Sequence, residues 1–250
     1  PLYSSIPKKN QLILSVPPMP VPILSEVSDI DLAQAYDLID ATQNLDVFVA
    51  VSGAVKACAV TLSKIANDLR LMSSGPRAGL AEINLPAKQN GSSIMPGKIN
   101  PVIPEVVNQV AFNIIGNDVT ITMAAEAGQL ELNAIEPIVF YCMFQSIDTL
   151  AYAVHTFVEN CVTGITANET RCRYLVENSV GIITAICPYV GYQKAADIAK
   201  KAIKTGASVR DLILQENLLD KEQMDSLLDP FHMTEPGTIR GTMDVLNKTL

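Results

Sequence analysis

The segment Gly91–Pro101 combines residue types that could bind a small anion. It has the sequence G-S-S-I-M-P-G-K-I-N-P, in which the hydroxyls of Ser92 and Ser93 follow a glycine. Lys98 supplies a positive charge and Asn100 a neutral donor just before a predicted helix. The first N–H groups of a helix lack intrahelical partners, and the helix dipole is positive there, so an anion is stabilised at this end. The pattern indicates a site for a dicarboxylate.

The glycines of this segment fit the same interpretation. Gly91 and Gly97 would allow backbone amides to approach a carboxylate closely, because glycine has no side chain to obstruct it. An alternative interpretation is a surface loop rich in glycine and serine with a solvated lysine, which has no chemistry of its own. Residue types alone leave both interpretations open.

Other kinds of site find little support in the composition. The chain has only two histidines, His155 and His232, so a histidine-rich metal site is excluded, and we expect both histidines to be structural. The net charge of −8 argues against nucleic acid as a partner. Charged and polar residues interrupt the apolar stretches, which argues against a membrane span. Five cysteines without a C-x-x-C pair favour reduced thiols and a cytoplasmic location.

Apolar residues recur at helical spacing along most of the chain. One long helix is predicted from about Ser28 to Ser73, with a possible break near Asn44. A second helix is predicted to begin with Pro101 and Pro104 in its first turn and to run to near Gly128, and a third to span residues 137–161. These helices predict a bundle over residues 28–164, with the candidate site in a loop over residues 75–101.

The two ends of the chain have different patterns. Prolines in residues 1–27 predict an extended or disordered lead-in. Shorter helices follow residue 164, with cap-like pairs at Thr166 and Glu169, Ser208 and Asp211, and Asp220 and Gln223, and with a glycine stop at Gly206. We predict a small helical domain over residues 165–240 and a tail over 241–250. The predicted fold class is all-α, and helices apolar on more than one face favour oligomerisation.

The segment Gly91–Pro101 resembles the signature of the aspartase/fumarase superfamily. The preceding stretches Lys64–Arg70 and Ser74–Gly79 are also similar to this family, and the similarity extends from about Ser28 to about Pro236. Residues 102–110 and 124–130 resemble the aspartase branch more than the fumarases. The resemblance implies a lyase that converts L-aspartate to fumarate and ammonia.

The resemblance also implies a role for each residue of the segment. Ser92 matches the serine that acts as general base and removes a proton beside the side-chain carboxylate. Ser93 would bind the carboxylate that gains charge, while Lys98, Asn100 and the backbone near Met95 would hold the other carboxylate. Gly91 and Gly97 suit a loop that closes over substrate.

Glu105 lies just beyond the segment. In relatives resembling fumarase, the matching acid pairs with a histidine from another part of the chain, which would make Glu105 a supporting residue. It could equally be an acid in the first turn of a helix, where the helix dipole favours negative charge.

The family resemblance bears on cofactors and partners as well. It implies no required cofactor, a small dicarboxylate substrate and a homotetramer whose active sites each combine three subunits. Some members are activated by a divalent metal ion without a recognisable ligand motif, so metal activation is left open. Further blocks of the family's site are not found in this sequence. Two alternatives therefore remain, a fumarate hydratase and a non-catalytic helical oligomerisation fragment.

Overall fold

The computed structural model describes residues 20–91 and 94–229, and these are predominantly helical. The predicted all-α class is confirmed, since the only strands in the described residues are two of two residues each. The α-helices are α1 Pro20–Ser28, α2 Leu38–Gln43, α3 Asp46–Met72, α4 Val102–Glu126, α5 Glu136–Asn160, α6 Glu169–Glu177, α7 Ile183–Val190, α8 Tyr192–Thr205, α9 Val209–Gln215 and α10 Lys221–Leu227. The strands are β1 Ile83–Asn84 and β2 Thr166–Ala167.

The chain divides into two compact units. One comprises the residues up to Lys64 together with Val106–His155, and the other comprises Ile65–Glu105 together with the residues from Thr156 on. The boundaries of the units fall inside the long helices. The predicted domain boundary near residue 164 stays a prediction.

Helix α1 corrects the predicted lead-in over its last residues. The sequence predicts extended or disordered chain up to residue 27, whereas residues 20–28 form a helix. Pro20 and Pro22 lie in its first turn, where proline's missing N–H removes no helical hydrogen bond. The Ser28 hydroxyl donates to the carbonyl of Leu24 at 2.6 Å in the last turn. Residues 1–19 lie outside the described part of the chain.

The long helix predicted from Ser28 is replaced by α2 and α3. The carboxylate of Asp37 accepts from the backbone N–H groups of Ile39 and Asp40 and caps α2. Asn44 ends α2 in extended conformation, and its side-chain oxygen accepts from the N–H of Asp46 at 3.1 Å, at the start of α3. The predicted break near Asn44 is therefore confirmed, but the predicted start at Ser28 is wrong.

Helices α4 and α5 confirm the second and third predicted helices to within two residues at each end. Pro104 lies in the first turn of α4 and is fully buried. In the first unit, one core cluster joins Leu45, Ile121, Val139 and Cys142 with neighbouring apolar side chains. A second cluster is built on Ala59, Ala111 and Ile114, where the small alanines permit close helix packing.

A buried polar group links two helices of the first unit. Asp118 of α4 is 5% exposed and accepts hydrogen bonds from Ser52 of α3, at 2.8 Å, and from Lys56. A buried carboxylate is tolerated only when it is paired and hydrogen-bonded, and here both conditions hold. The interaction therefore fixes the register of α3 against α4.

Two helical stretches, Asp46–Met72 and Glu136–Gly164, are long and apolar enough to cross a membrane by length and composition alone. Core helices of water-soluble bundles can be equally long and apolar. The first stretch carries Lys56, whose ammonium pairs with Asp118 within the protein. We interpret both stretches as bundle helices.

The second unit has its own core after residue 180. Ile186, Ile198, Ile213 and Met224 from helices α7 to α10 are buried against one another with further apolar side chains. The helix ends are well defined, since Gly206 ends α8 with φ +71°, a left-handed conformation that favours glycine.

Of the three predicted caps in this unit, two are confirmed. The hydroxyl of Ser208 accepts from the N–H of Asp211 at 3.0 Å, and Asp220 forms a complete capping box with Gln223. The predicted cap at Thr166 is wrong, because this residue belongs to β2 and Asn168 precedes α6.

Replacing Asp118 with alanine should lower the free energy of unfolding by about 1–3 kcal/mol, because the ammonium of Lys56 and the buried hydroxyl of Ser52 lose their acceptor. Urea unfolding at fixed protein concentration, followed by circular dichroism, measures this loss. Lys56→Met keeps the apolar stem but leaves the buried Asp118 carboxylate without its cation, so it should also lower the free energy of unfolding. Equal unfolding midpoints for Asp118→Ala and the native chain would contradict this role.

Two cysteines should be protected by the fold. Burial raises the pKa of the Cys142 and Cys161 thiols, so at a given pH less of each is the reactive thiolate than in the unfolded chain. We expect iodoacetamide to modify both only slowly in the native protein and readily in urea. Raising the pH should accelerate the native reaction, as peptide mass spectrometry can follow. Half-buried Cys187 serves as the comparison, and equal rates at all three thiols would refute the expectation.

Candidate active site

The chain between α3 and α4 begins with a closed turn. The carbonyl of Ser74 accepts from the N–H of Ala81 at 2.8 Å, and its hydroxyl accepts from the N–H of Leu80 at 3.1 Å. A side chain at Gly79 would place its Cβ 2.4 Å from the carbonyl of Ser74, so only glycine fits there. The turn directs the chain into β1.

Segment 79–84 is held by residues from beyond α5. β1 pairs antiparallel with β2, with Ile83 opposite Ala167. Arg171 of α6 donates through Nε to the carbonyl of Leu80 at 2.9 Å and through Nη2 to that of Gly79 at 3.2 Å. Asn168 donates through Nδ2 to the carbonyl of Ala81 at 2.8 Å. The start of the loop is thus fixed by side chains more than 80 residues away.

Sequence reasoning did not find this set of hydrogen bonds. Asn84 and Asn168 exchange side-chain hydrogen bonds of 2.8 and 3.1 Å, and the Nδ2 of Asn84 also donates to the hydroxyl of Thr166. Two-residue strands give no periodic signal. The one local signal is the pair Thr166 and Glu169, whose spacing predicts a helix cap and not a strand.

The signature segment is closed at its base by a β-bridge between Asn90 and Ile99. The N–H of Gly91 donates to the carbonyl of Lys98 at 2.9 Å. The side chain of Asn100 donates through Nδ2 to the carbonyl of Gly91 at 3.1 Å. A Cβ at position 91 would lie 2.1 Å from the carbonyl oxygen of Lys98, so this approach requires glycine.

A turn returns the chain to this bridge. The N–H of Lys98 donates to the carbonyl of Met95 at 3.2 Å, and Gly97 has φ +79°, which favours glycine. Ile94 is 86% exposed and Met95 51% exposed, so this turn has little packing of its own. Its conformation depends on backbone geometry.

An open groove of about 730 Å³ lies at this bridge. Three predicted site residues line it together, namely Gly91, Gly97 and Lys98. Its other lining residues are Ala87, Lys88, Gln89, Asn90 and Ile99. The groove therefore has lysine and amide donors and no acidic lining residue.

The remaining predicted site residues are placed differently. Met95 and Asn100 do not line the groove, although Asn100 holds its base through Gly91. One of the two amide hydrogens of Asn100 is used in this way, and within residues 20–91 and 94–229 the other makes no further side-chain hydrogen bond. Ser92 and Ser93 lie outside the described residues.

Glu105 lies in the first turn of α4 and does not line the groove. Its carboxylate oxygen is 3.7 Å from Nη2 of Arg70, at the end of α3. Both side chains are about two-fifths exposed, at 38% and 40%, so the ion pair contributes little stability. The pairing with Arg70 adds to the two earlier interpretations of Glu105, and its supporting role stays a prediction.

Comparison with known proteins identifies the family. Residues 16–116 match a family model described as Lyase, and residues 182–235 match one described as Fumarase C C-terminus. The chain belongs to the aspartase/fumarase superfamily. The family resemblance predicted from the signature is thus confirmed. The match begins earlier than the predicted Ser28, because the first model includes residues from 16 on.

Among curated proteins, the chain is 55% identical over 214 residues to aspartate ammonia-lyase of Bacillus subtilis, covering 86% of this chain and 45% of the relative. It is 52% identical over 221 residues to aspartate ammonia-lyase of Helicobacter pylori, covering 88% of this chain and 47% of that one. The chain therefore spans about half the length of the curated relatives it matches.

Two solved structures have the same fold. One is described as a fumarate lyase:delta crystallin from Brucella melitensis bound to cobalt, with a TM-score of 0.81, 50% identity and coverage of 86% of this chain and 47% of that one. The other is a class II fumarase from Schistosoma mansoni, with a TM-score of 0.80, 32% identity and coverage of 86% and 48%. Within residues 20–91 and 94–229, no cluster of three or more histidine, cysteine or acidic side chains could hold a metal ion.

The close approach at Gly91 can be tested by substitution. Gly91→Ala should separate the two backbone segments, because its Cβ cannot lie 2.1 Å from the Lys98 carbonyl oxygen. We expect trypsin to cleave after Lys88 and Lys98 at least several-fold faster, as mass spectrometry of the digest would show. Gly53→Ala in α3, where an added Cβ meets nothing within 4 Å, is the control and should leave cleavage unchanged. Identical digestion of both variants would contradict the proposed closure.

Proposed function

We propose that this chain carries the signature part of an aspartate ammonia-lyase, which converts L-aspartate to fumarate and ammonia. The observation that carries the proposal is the 55% identity to the Bacillus subtilis aspartate ammonia-lyase, over 214 residues. The groove at Gly91 and Lys98 supports it, because lysine and amide donors without an acidic neighbour suit a dicarboxylate.

Ser92 is the proposed general base. Its oxygen, as the alkoxide, takes a proton from the carbon beside the side-chain carboxylate, and the electron pair left on carbon moves into that carboxylate. The resulting aci-carboxylate then returns electrons to form the carbon–carbon double bond while the carbon–nitrogen bond breaks. Ammonia leaves and fumarate remains. Serine is a very weak acid, so the site must stabilise the alkoxide with preorganised donors and positive potential.

The neighbouring residues bind and orient the substrate in this proposal. Ser93 donates to the carboxylate that gains charge, while Lys98, the side-chain amide of Asn100 and the backbone near Met95 hold the other carboxylate. The rigid base formed by the Gly91–Lys98 hydrogen bond favours this orientation, since a positioned donor loses less entropy on binding. Gly91 and Gly97 give the segment the freedom to close over substrate.

The proposed assembly is a cytoplasmic homotetramer with shared active sites. Its support is the exposed apolar surface of the bundle helices. Four large apolar side chains there are at least 60% exposed, namely Phe112 and Met123 of α4 and Tyr141 and Phe144 of α5. Large exposed apolar patches mark interaction surfaces. The proposed reaction needs no external cofactor, because the proton, the electrons and the leaving group are all supplied by substrate and serine.

Fumarate hydratase is the second candidate, supported by the fold of the Schistosoma mansoni enzyme. Its 32% identity is well below the 52–56% shared with the aspartate ammonia-lyases, which favours aspartate over malate as substrate. A helical oligomerisation fragment is the third, supported by the exposed apolar side chains of α4 and α5.

A chimera tests the proposed chemistry. The part of this chain that matches the Bacillus subtilis relative would replace the corresponding region of that relative, and fumarate formed from L-aspartate would be followed by absorbance. We expect turnover, and we expect Ser92→Ala to lower kcat by about 10²–10⁴-fold because the proton acceptor is lost. Ser93→Ala should instead mainly raise KM for aspartate.

Two further measurements make the outcome decisive. Light scattering and circular dichroism show whether each chimera is a folded tetramer, and L-malate replaces L-aspartate in a parallel assay. Turnover of malate in place of aspartate would favour fumarate hydratase. A folded chimera without turnover, or full activity of Ser92→Ala, would overturn the proposed mechanism. The isolated chain is assayed in the same way to test the oligomerisation fragment.

A further inference from the structure

Lys88 lines the same groove as Lys98. Both side chains are exposed, and none of the eight residues lining the groove is acidic. No ion pair or side-chain hydrogen bond within the described part of the chain involves either ammonium. The groove thus has a local charge of about +2 in a chain whose net charge is −8.

Such a local reversal of charge matters for an anionic ligand. The whole chain repels a dianion, and the attraction must come from charges close to where the ligand binds, since salt screens exposed charges beyond about 8–10 Å. Lys98 alone supplies one positive charge, whereas a dicarboxylate has two negative charges. A second cation beside the groove would complement the second carboxylate.

We propose that Lys88 is a specificity-determining residue, whose ammonium acts with that of Lys98 to make the groove select small dicarboxylates over monocarboxylates. This proposal rests on the proposed function, because it takes the groove as the place where the substrate is captured.

The position of Lys88 is fixed by the backbone. Lys88 lies two residues before Asn90, and the bridge between Asn90 and Ile99 closes the signature segment. Two residues of extended chain span about 7 Å, so the Lys88 backbone stays within that distance of the bridge. The flexible stem of lysine then allows its ammonium to follow the ligand without a fixed geometry.

The expected effect is modest and depends on charge. Exposed ion pairs contribute little, so the loss of the Lys88 ammonium should weaken binding of a dicarboxylate by about two- to fivefold. A monocarboxylate has half the charge and should lose less. Salt should reduce the difference because both partners are exposed to solvent.

The test measures binding to the full chain. Fumarate is titrated and followed by saturation-transfer NMR, and crotonate, which keeps the carbon skeleton with one carboxylate, is the matched monoanion. Lys88→Met should weaken the binding of fumarate by two- to fivefold and the binding of crotonate by less, and the difference should shrink at high salt. Lys88→Arg should restore fumarate binding. Lys194→Met, an exposed lysine in the first turn of α8 with the same change in net charge, should change neither affinity.

Three results would overturn the proposal. Lys88→Met and Lys194→Met could weaken fumarate binding equally, which would show only the effect of net charge. Lys88→Met could weaken the binding of fumarate and of crotonate by the same factor, which would show that Lys88 does not recognise a second carboxylate. The native chain could bind neither ligand, which would exclude the groove as a dicarboxylate site.

Failure of the proposed function gives a different pattern. If fumarate binding depends on Lys88 but the folded chimera does not release fumarate from aspartate, the proposed reaction is wrong and the groove still selects dicarboxylates. If the chimera is active and loses activity with Ser92→Ala while Lys88→Met has native binding and native KM, the proposal for Lys88 alone is wrong.

Discussion

The contact between Gly91 and the Lys98 carbonyl is the constraint on which the rest of the candidate site depends. Their hydrogen bond of 2.9 Å closes a segment of eight residues, and no other residue type fits at position 91 because its Cβ would lie 2.1 Å from the carbonyl oxygen. The segment's other large side chains are exposed and contribute little packing. Backbone geometry rather than a hydrophobic core therefore holds Lys98 and Asn100 beside each other.

The loop between α3 and α4 is also held at both of its ends. The hydrogen bonds of Arg171 and Asn168 to segment 79–81, together with the pairing of β1 with β2, hold the loop's first part against the start of α6. At its far end the loop enters α4, whose buried Pro104 fixes the first turn. Both ends of the loop are thus attached to packed structure, which lets the segment between them be sparse in packing and rich in polar groups.

The long helices and the signature could be predicted from the sequence because both are local. Helical periodicity marks α4 and α5 to within two residues, and a fixed run of residue types marks the segment 91–101. Local patterns failed where a distant partner decided the structure. Thr166 has the spacing of a helix cap, yet it pairs with Asn84, 82 residues away, because β1 offers it a strand partner. Pro20 and Pro22 predict an extended chain, yet a helix forms there because both lie in its first turn, where proline is tolerated.

The same distinction between local and distant causes applies to charge. The net charge of −8 gives no indication of where the positive charges lie, since Lys88 and Lys98 are ten positions apart and line one groove only because of the bridge between Asn90 and Ile99. Lys98 was identified from its motif, whereas Lys88 lies outside the motif and has no pattern of its own. An anionic substrate responds to the field at the groove rather than to the average, because salt screens the remaining charges. The fold therefore brings two lysines and no acidic side chain to one groove of a chain with a net negative charge, which net charge alone does not indicate.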